Sequence, residues 1–298
     1  MANSTTSTEL LTGWAQLTDE INQALSAYAG FGEGCPPELE AAMRYSLLGP
    51  GKRLRPLLAL FAADALGGDQ AAAMPVACAA EMIHAYSLVH DDLPCMDDDE
   101  LRRGRPTCHI QYGEATAVLV GDALIARAFE IIANECTSAE VAQACCRELA
   151  SAAGACNLVG GQSDDLNTEQ PEQSMDRLLA IHRRKTGAMF LAPLRMGAIT
   201  ACRSTPPEAI DQYGQSLGLA FQIVDDLLDF EGNEAVVGKK TGKDAAKGKL
   251  TFPGLIGVDE SRRRAEELVE EAVGAAASLG ERSANLQRLA RFVLERDR

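Results

Sequence analysis

Two clusters of aspartates are the residues of this sequence that could most directly do chemistry. One lies in HDDLPCMDDDELRRGRPTCH at residues 90–109, and the other lies in FQIVDDLLDF at residues 221–230. Carboxylates crowded beside apolar residues are costly to bury unless a cation neutralises them. Oxygen ligands with open positions suit Mg²⁺, whose coordination is typically completed by waters and substrate phosphates. As metal ligands we predict Asp91, Asp92, Asp97, Asp225 and Asp229.

The second cluster has the simpler geometry. No helix breaker interrupts the segment, so Asp225 and Asp229 lie one turn apart, ~6 Å along the axis, and Gln222 shares their face. Because the flanking residues are apolar, this face needs a neutralising cation if it is buried.

The first cluster follows the end of an apolar helix. Pro94 stops that helix just after Asp91, and Asp97 returns after a short gap. Arg102 and Arg103 are expected on the next loop, where guanidinium groups can bind phosphate oxygens in pairs. Two acidic clusters that each close an apolar helix, and are each followed by basic residues, predict chemistry on a metal-bound phosphate.

The elements that position these clusters are predicted to be helices. Hydrophobic residues make up 46% of the 298 residues and aromatics 5%, and much of the apolar content is Ala and Leu, which favours helix. No Pro-, Gly- or Ser-rich linker divides the chain, so we expect one all-α domain over residues 1–298. Gly121 lies inside a predicted helix and indicates a close approach by another helix or a ligand. The predicted helices cover 35–48, a segment from Pro56, 74–92 with Pro75 near its start, 114–135 and 210–230.

Composition excludes several classes of protein. The formal charge of −15 argues against a nucleic-acid partner, because such proteins need a basic face to displace counterions. The nine cysteines include no C-x-x-C pair and lie mostly in apolar stretches, as is usual in a reducing compartment. No basic residue precedes Arg44, and apolar runs such as LLALFAADAL fall short of the ~20 residues that span a bilayer. We therefore expect a cytoplasmic protein without stable membrane insertion.

Several short motifs occur in the order found in one known family. They are GKRLRP at 51–56, the first aspartate cluster, GDAL at 121–124, KTG at 185–187 and the second aspartate cluster. With these motifs the sequence resembles the short-chain trans-isoprenyl diphosphate synthases, and in particular the bacterial farnesyl diphosphate synthases. The resemblance spans roughly residues 44–256.

The resemblance implies a fold and a reaction. The fold is a large helical bundle around a deep central cavity, with the two aspartate clusters facing each other across its mouth, in a homodimer. The reaction is a head-to-tail 1'-4 condensation of isopentenyl diphosphate with dimethylallyl diphosphate and then geranyl diphosphate, giving C15 farnesyl diphosphate. The cofactor is a group of three Mg²⁺ ions in each active site, which Mn²⁺ could replace.

The family's residue roles carry over where the residues match. The residues implied to bind isopentenyl diphosphate are Lys52, Arg55, His84 and Arg103. Those implied to bind the allylic diphosphate are Arg102, Lys185 and Lys239. The reaction centre would be lined by the carbonyl of Lys185, the hydroxyl of Thr186 and the amide of Gln222. Lys249 belongs to a Gly-rich basic loop, just past the second cluster, that is predicted to close over the phosphates.

Product length is predicted from the helix that carries Asp91. In the family the fourth and fifth positions before the first aspartate set the length, and here these are Ser87 and Tyr86. The helical wheel places Ser87 roughly 40° from Asp91 and Tyr86 roughly 140° away. Only Tyr86 is bulky enough to block a growing chain, so we expect a C15 product with Tyr86 as the block.

Three alternatives stay open. A geranylgeranyl diphosphate synthase would make a C20 product with the same machinery. A class I terpene cyclase also uses an aspartate-rich helix end, but it needs a single diphosphate site and leaves Lys52, Arg55 and His84 without a function. A non-catalytic acidic protein that binds divalent ions would have no use for GKRLRP or for the basic loop.

Overall fold

The computed structural model describes residues 14–166, 174–202, 205–231 and 250–295, and these residues are mostly helical. The α-helices are α1 (Ala15–Tyr28), α2 (Pro37–Leu47), α3 (Leu54–Ala65), α4 (Gln70–Asp91), α5 (Cys108–Tyr112), α6 (Glu114–Glu135), α7 (Ala139–Ala153), α8 (Leu158–Leu166), α9 (Met175–His182), α10 (Ala188–Cys202), α11 (Glu208–Glu231), α12 (Phe252–Ile256), α13 (Val258–Ala277) and α14 (Ala284–Glu295). The predicted all-α class is confirmed.

Short elements of other kinds connect the helices. A π-helix, Arg183–Gly187, joins α9 to α10, and single 3-10 turns lie at Gly32–Gly34 and Glu281–Ser283. Two-residue strands, β1 (Leu101–Arg102) and β2 (Arg105–Pro106), pair antiparallel just after the first aspartate cluster.

The start of α4 differs from the prediction. The helix begins at Gln70, because the Asp69 carboxylate caps it by accepting a hydrogen bond from the Ala71 N–H at 2.9 Å. Pro75 therefore lies inside the helix and removes one of its backbone hydrogen bonds. The capping aspartate, rather than the proline, sets the beginning of this helix.

The centre of the bundle is formed by helices buried on most sides. α3 packs against α4 and α10, α4 also packs against α6, and α11 packs against α10 and α13. Nearly every residue of α3 is buried, as expected for a helix that is apolar all round. The helices that carry the two aspartate clusters, α4 and α11, both contact α10.

α4 is long and apolar enough, by length and composition alone, to cross a membrane. This corrects the expectation drawn from uninterrupted apolar runs, because Glu81 and His84 break the run while its average stays apolar. In the fold 72% of the apolar window of α4 is buried. The helix thus has the burial of a core helix.

A glycine lets α6 approach the end of α4. A Cβ at Gly121 would lie 1.9 Å from Nε2 of His90, so no larger residue fits without displacing that ring. The His90 ring in turn hydrogen-bonds the Val118 carbonyl of α6, with 3.1 Å between Nε2 and the oxygen. The predicted close approach at Gly121 is confirmed, and it holds α6 beside the first aspartate cluster.

Candidate active site

One cavity of about 550 Å³ collects most of the residues predicted from the sequence. It is bordered by the ends of α4 and α11, by the start of α3 and by the π-helix. The predicted residues that line it are Lys52, Arg55, His84, Ser87, Asp91, Asp97, Arg102, Arg103, Lys185, Thr186, Gln222 and Asp225. Segments far apart in the sequence therefore meet around one space.

Five predicted residues are not placed on this cavity. Tyr86, Asp92 and Asp229 are buried within the described part of the chain but do not line the cavity. Lys239 and Lys249 lie outside the described residues, so their predicted roles stay predictions.

The first aspartate cluster is shaped by its own backbone. The Asp97 N–H donates to the Asp91 carbonyl at 2.8 Å, and the Asp99 N–H donates to the Asp92 carbonyl at 3.2 Å. The chain thereby turns back on the end of α4, and Asp91, Asp97 and Asp99 all line the cavity. Burial raises the pKa of Asp91 to about 6; Lys185 opposes this shift and Asp97 adds to it. Asp99 was not predicted from the sequence.

Asp92 faces away from the cavity, toward Arg102. The Arg102 Nε–H donates to both carboxylate oxygens at 2.9 Å, and Nη2 lies 2.5 Å from Oδ1. This contact turns the Asp92 carboxylate toward Arg102, whereas Asp91, about 100° away around the helix, lines the cavity. Asp92 therefore holds the Arg102 guanidinium at the cavity's edge, a contact that the metal-ligand prediction did not include.

In the second cluster, too, only some of the aspartates line the cavity. Asp225 lines the cavity as predicted, whereas Asp229, one turn later, is buried elsewhere. Asp226, which was not predicted, also borders the cavity, and its carboxylate accepts hydrogen bonds from Gln222 Nε2 and from the Phe252 N–H, both at 3.0 Å.

The cavity also has a cationic wall, which is formed by Lys52, Arg55, His84 and Arg103. The Arg55 guanidinium lies 5.5 Å from the centre of the Phe190 ring, and Lys52 Nζ lies 5.3 Å from the centre of the Phe292 ring. Burial, together with the charge of Arg55, lowers the pKa of His84 well below its usual value, so its imidazole is neutral at pH 7. This wall offers both fixed positive charge and a neutral hydrogen-bonding ring.

The loop before α3 is held by a buried ion pair that sequence reasoning missed. Arg53 Nη1 lies 3.1 Å from Glu81 Oε1, with both side chains almost fully buried, and Nη2 donates to the Gly49 carbonyl at 2.8 Å. Arg53 itself adopts a left-handed backbone conformation, with φ of 50°. A lone Glu in the apolar helix α4 was the available signal. The pair fixes the loop between Lys52 and Arg55.

Lys185 is positioned by a second unpredicted acid. Its Nζ donates to Asp165 Oδ2 at 2.8 Å, and both residues line the cavity. α8 can approach this closely because a Cβ at Gly161 would lie 2.5 Å from the Lys185 backbone nitrogen. The π-helix therefore presents Lys185 and Thr186 to the cavity from a fixed support.

The carboxylates fit a hard divalent cation in combination with other ligands. Asp91, Asp97 and Asp225 all line the cavity, and the raised pKa of half-buried Asp91, to which Asp97 contributes, indicates that a neutralising charge would be favourable. Among the described residues, no group of three or more His, Cys, Asp or Glu side chains could hold a metal ion by itself. Mg²⁺ commonly takes one or two carboxylates plus waters and phosphate oxygens. The donor set therefore fits Mg²⁺ that is shared with a bound phosphate.

A larger cavity, of about 640 Å³, lies on the other side of the π-helix. Its main cation, Arg195, is bound by Asp211 through two hydrogen bonds of 2.7 Å and lies 3.3 Å from Glu148. No aspartate of either cluster lines it. The convergence of carboxylates and cations, rather than volume, marks the smaller cavity as the candidate active site.

Comparison with known proteins identifies the class that this fold and cavity define. Residues 36–289 match the polyprenyl synthetase family. The chain is 42% identical over 291 residues to the farnesyl diphosphate synthase of Escherichia coli (strain K12), covering 94% of this chain and 96% of that protein. The chain belongs to the polyprenyl synthetase family.

Two further relatives show the range of the likeness. The chain is 47% identical over 244 residues to geranylgeranyl pyrophosphate synthase 11 of Arabidopsis thaliana, a chloroplastic protein, covering 80% of this chain and 68% of that one. The structure matches that of a geranyltransferase from Helicobacter pylori complexed with magnesium and isoprenyl diphosphate, with a TM-score of 0.83 and 30% identity. That match covers 99% of this chain and 98% of the other.

Proposed function

We propose that this protein is a farnesyl diphosphate synthase that condenses isopentenyl diphosphate with dimethylallyl diphosphate and then with geranyl diphosphate. The observation that carries the proposal is that carboxylates from both aspartate clusters and a separate cationic wall line one cavity. The near full-length likeness to the Escherichia coli farnesyl enzyme favours the C15 product over the C20 alternative.

The allylic diphosphate would bind at the aspartates. Asp91, Asp97 and Asp225 would hold Mg²⁺, proposed as three ions in each site. When bound, Mg²⁺ neutralises the charge that develops on the leaving diphosphate. Arg102 and Lys185 would bind the same diphosphate, Arg102 being oriented by Asp92 and Lys185 by Asp165. Of these two supports, Asp165 lies outside the motifs that carry the family resemblance.

Isopentenyl diphosphate would bind at the cationic wall. Lys52, Arg55 and Arg103 would contact its phosphates, and neutral His84 would donate or accept a hydrogen bond there. Loss of the allylic diphosphate leaves a carbocation, and the isopentenyl double bond attacks it to form the 1'-4 carbon bond. The released pyrophosphate is the proposed base for the final proton.

The carbocation must be stabilised and kept from water. The Thr186 hydroxyl, the Gln222 amide oxygen and the Lys185 carbonyl present the negative ends of dipoles to it. Apolar side chains that line the cavity, including Leu88 and Phe221, limit the access of water that would quench it.

Incubation with labelled isopentenyl diphosphate, dimethylallyl diphosphate and Mg²⁺ tests the proposal. A farnesyl diphosphate product, identified by chromatography of the dephosphorylated alcohols, supports it. A C20 alcohol would favour the geranylgeranyl alternative, cyclised hydrocarbons a terpene cyclase, and no turnover a protein that only binds divalent ions.

Replacing Arg55 or His84 is expected to separate the two diphosphate sites. Because both lie on the cationic wall, Arg55→Gln or His84→Ala should raise the KM for isopentenyl diphosphate about 10-fold or more, with little change in the KM for the allylic substrate. Initial rates with each substrate varied in turn measure this. Equal weakening of both substrates would argue against two distinct sites.

Product length is expected to change in Tyr86→Ala. Tyr86 is buried on α4 with its ring 5.8 Å from that of His90, so its removal opens space beside the first cluster. We expect C20 or longer alcohols from this variant and an unchanged C15 alcohol from Ser87→Ala, although Ser87 is the one that lines the cavity. A folded, active Tyr86→Ala protein that still makes C15 would place the block elsewhere.

We also propose that residues 1–298 form one domain that acts as a cytoplasmic homodimer. The contacts of Trp14 support the single domain. The centre of its ring lies 5.5 Å from that of Phe61 and 6.0 Å from that of Phe292, so residues near the two ends of the sequence pack in one core. The apolar side chains of Val118 and Leu119 are exposed on α6, which supports contact with a second copy of the chain at this surface. Light scattering of the intact protein measures the number of copies in the assembly. All nine cysteines are free, as a reducing compartment requires.

A further inference from the structure

On the cavity wall, a chain of hydrogen bonds connects a buried carboxylate to the proposed reaction centre. Asp226 is 5% exposed, and each of its carboxylate oxygens has a donor. Oδ1 accepts from Gln222 Nε2 and Oδ2 accepts from the Phe252 N–H, both at 3.0 Å. The Gln222 Oε1 then accepts from the Thr186 hydroxyl at 2.8 Å.

The chemistry of Asp226 fixes which way the Gln222 amide points. An ionised carboxylate has only acceptors, so the atom of Gln222 that faces it must be the NH₂ group. The amide oxygen must then face the opposite way, toward Thr186 and the cavity. Without this partner the amide could turn over and present its positive end there instead.

Two stacked rings lie beside this carboxylate. The His182 ring stacks on the Phe252 ring at 5.7 Å between centroids, and its Nε2 lies 3.6 Å from Asp226 Oδ2. Because the Phe252 N–H also donates to this carboxylate, the first turn of α12 is tied to α11 at the same point. Asp226 is thus a fixed element of the wall.

We infer that Asp226 is a positioning residue that holds the Gln222 amide oxygen toward the reacting carbon, and is not a metal ligand. The inference rests on the proposed function, since the carbocation is what makes the direction of the amide dipole matter. Asp225, about 100° away around the helix, also lines the cavity and is the proposed metal ligand of this pair.

Asp226→Asn is the first test. The asparagine oxygen can still accept from the Phe252 N–H, but its NH₂ group would face Gln222. The Gln222 amide should then turn over, so that its NH₂ group faces the cavity. We expect kcat to fall at least about 10-fold. The Mg²⁺ concentration for half-maximal rate and the KM values for both diphosphates should stay within about twofold.

Exchanging the two groups should restore the geometry. In the double variant Gln222→Glu with Asp226→Asn, the asparagine NH₂ group donates to the new carboxylate, whose other oxygen still faces Thr186. Gln222→Glu alone places two carboxylates against each other and should lower kcat also. The double variant should have a kcat at least about 10-fold higher than the two single changes would give if they acted independently, a coupling that a double-mutant cycle measures.

The matched comparison is Asp225→Asn, which should raise the Mg²⁺ requirement at least about 10-fold by removing a ligand. Urea unfolding of the four proteins of the cycle gives the same coupling without substrate. An Asp226→Asn protein with a raised Mg²⁺ requirement, or a double variant without recovery in kcat, overturns the inference. Failure of the proposed function looks different, because the wild-type protein itself would then make no farnesyl diphosphate.

Discussion

Asp91→Ala and Asp225→Ala are each expected to lower kcat at least about 100-fold, the loss that follows removal of a principal transition-state stabiliser. Each change deletes a carboxylate that lines the cavity, and the two residues reach it from different helices. Because Mg²⁺ commonly takes one or two carboxylates besides waters and phosphate oxygens, the loss of one carboxylate removes a large share of the protein ligands. Steady-state rates at saturating substrate, over a range of Mg²⁺ concentrations, measure the effect.

Glu100→Ala is the matched control for this prediction. Glu100 belongs to the same acidic segment but is exposed and does not line the cavity. Its removal changes the local charge by the same amount as the removal of an aspartate. A near-normal rate is expected, because no ligand in the cavity is lost. Near-normal turnover in either Asp91→Ala or Asp225→Ala would instead show that the metal assignment is wrong.

Glu81→Ala is expected to destabilise the protein by ~3 kcal/mol, since breaking a buried ion pair leaves an uncompensated charge. The remaining charge is that of Arg53, whose side chain is 4% exposed. The loop between Lys52 and Arg55 should also loosen, so the KM for isopentenyl diphosphate should rise. Chemical denaturation followed by circular dichroism measures the loss of stability.

A surface pair provides the comparison for Glu81. Glu260 contacts Arg263 on α13, where both side chains are about half exposed, and Glu260→Ala should leave the unfolding midpoint almost unchanged. If Glu81→Ala unfolded at the wild-type denaturant concentration, the buried pair would not be what holds the loop before α3.

Much of the fold could be predicted because its signals are local. The 114–135 helix has the predicted bounds, and the break after α4 follows from Pro94, since caps and breakers act on a few neighbouring residues. The different start of α4 also has a local cause, because the Asp69 cap begins the helix five residues before Pro75. Local patterns likewise placed Asp91 and Asp225 at the ends of apolar helices.

The tertiary structure decided which member of each aspartate pair does what. The sequence by itself determined that two aspartate clusters follow apolar helical patterns and that several lysines come after the second cluster. It could not determine that Asp92 turns to Arg102 or that the Phe252 N–H meets Asp226, because these contacts depend on how each helix packs against other segments. That packing joins segments distant in sequence, and no local pattern records it.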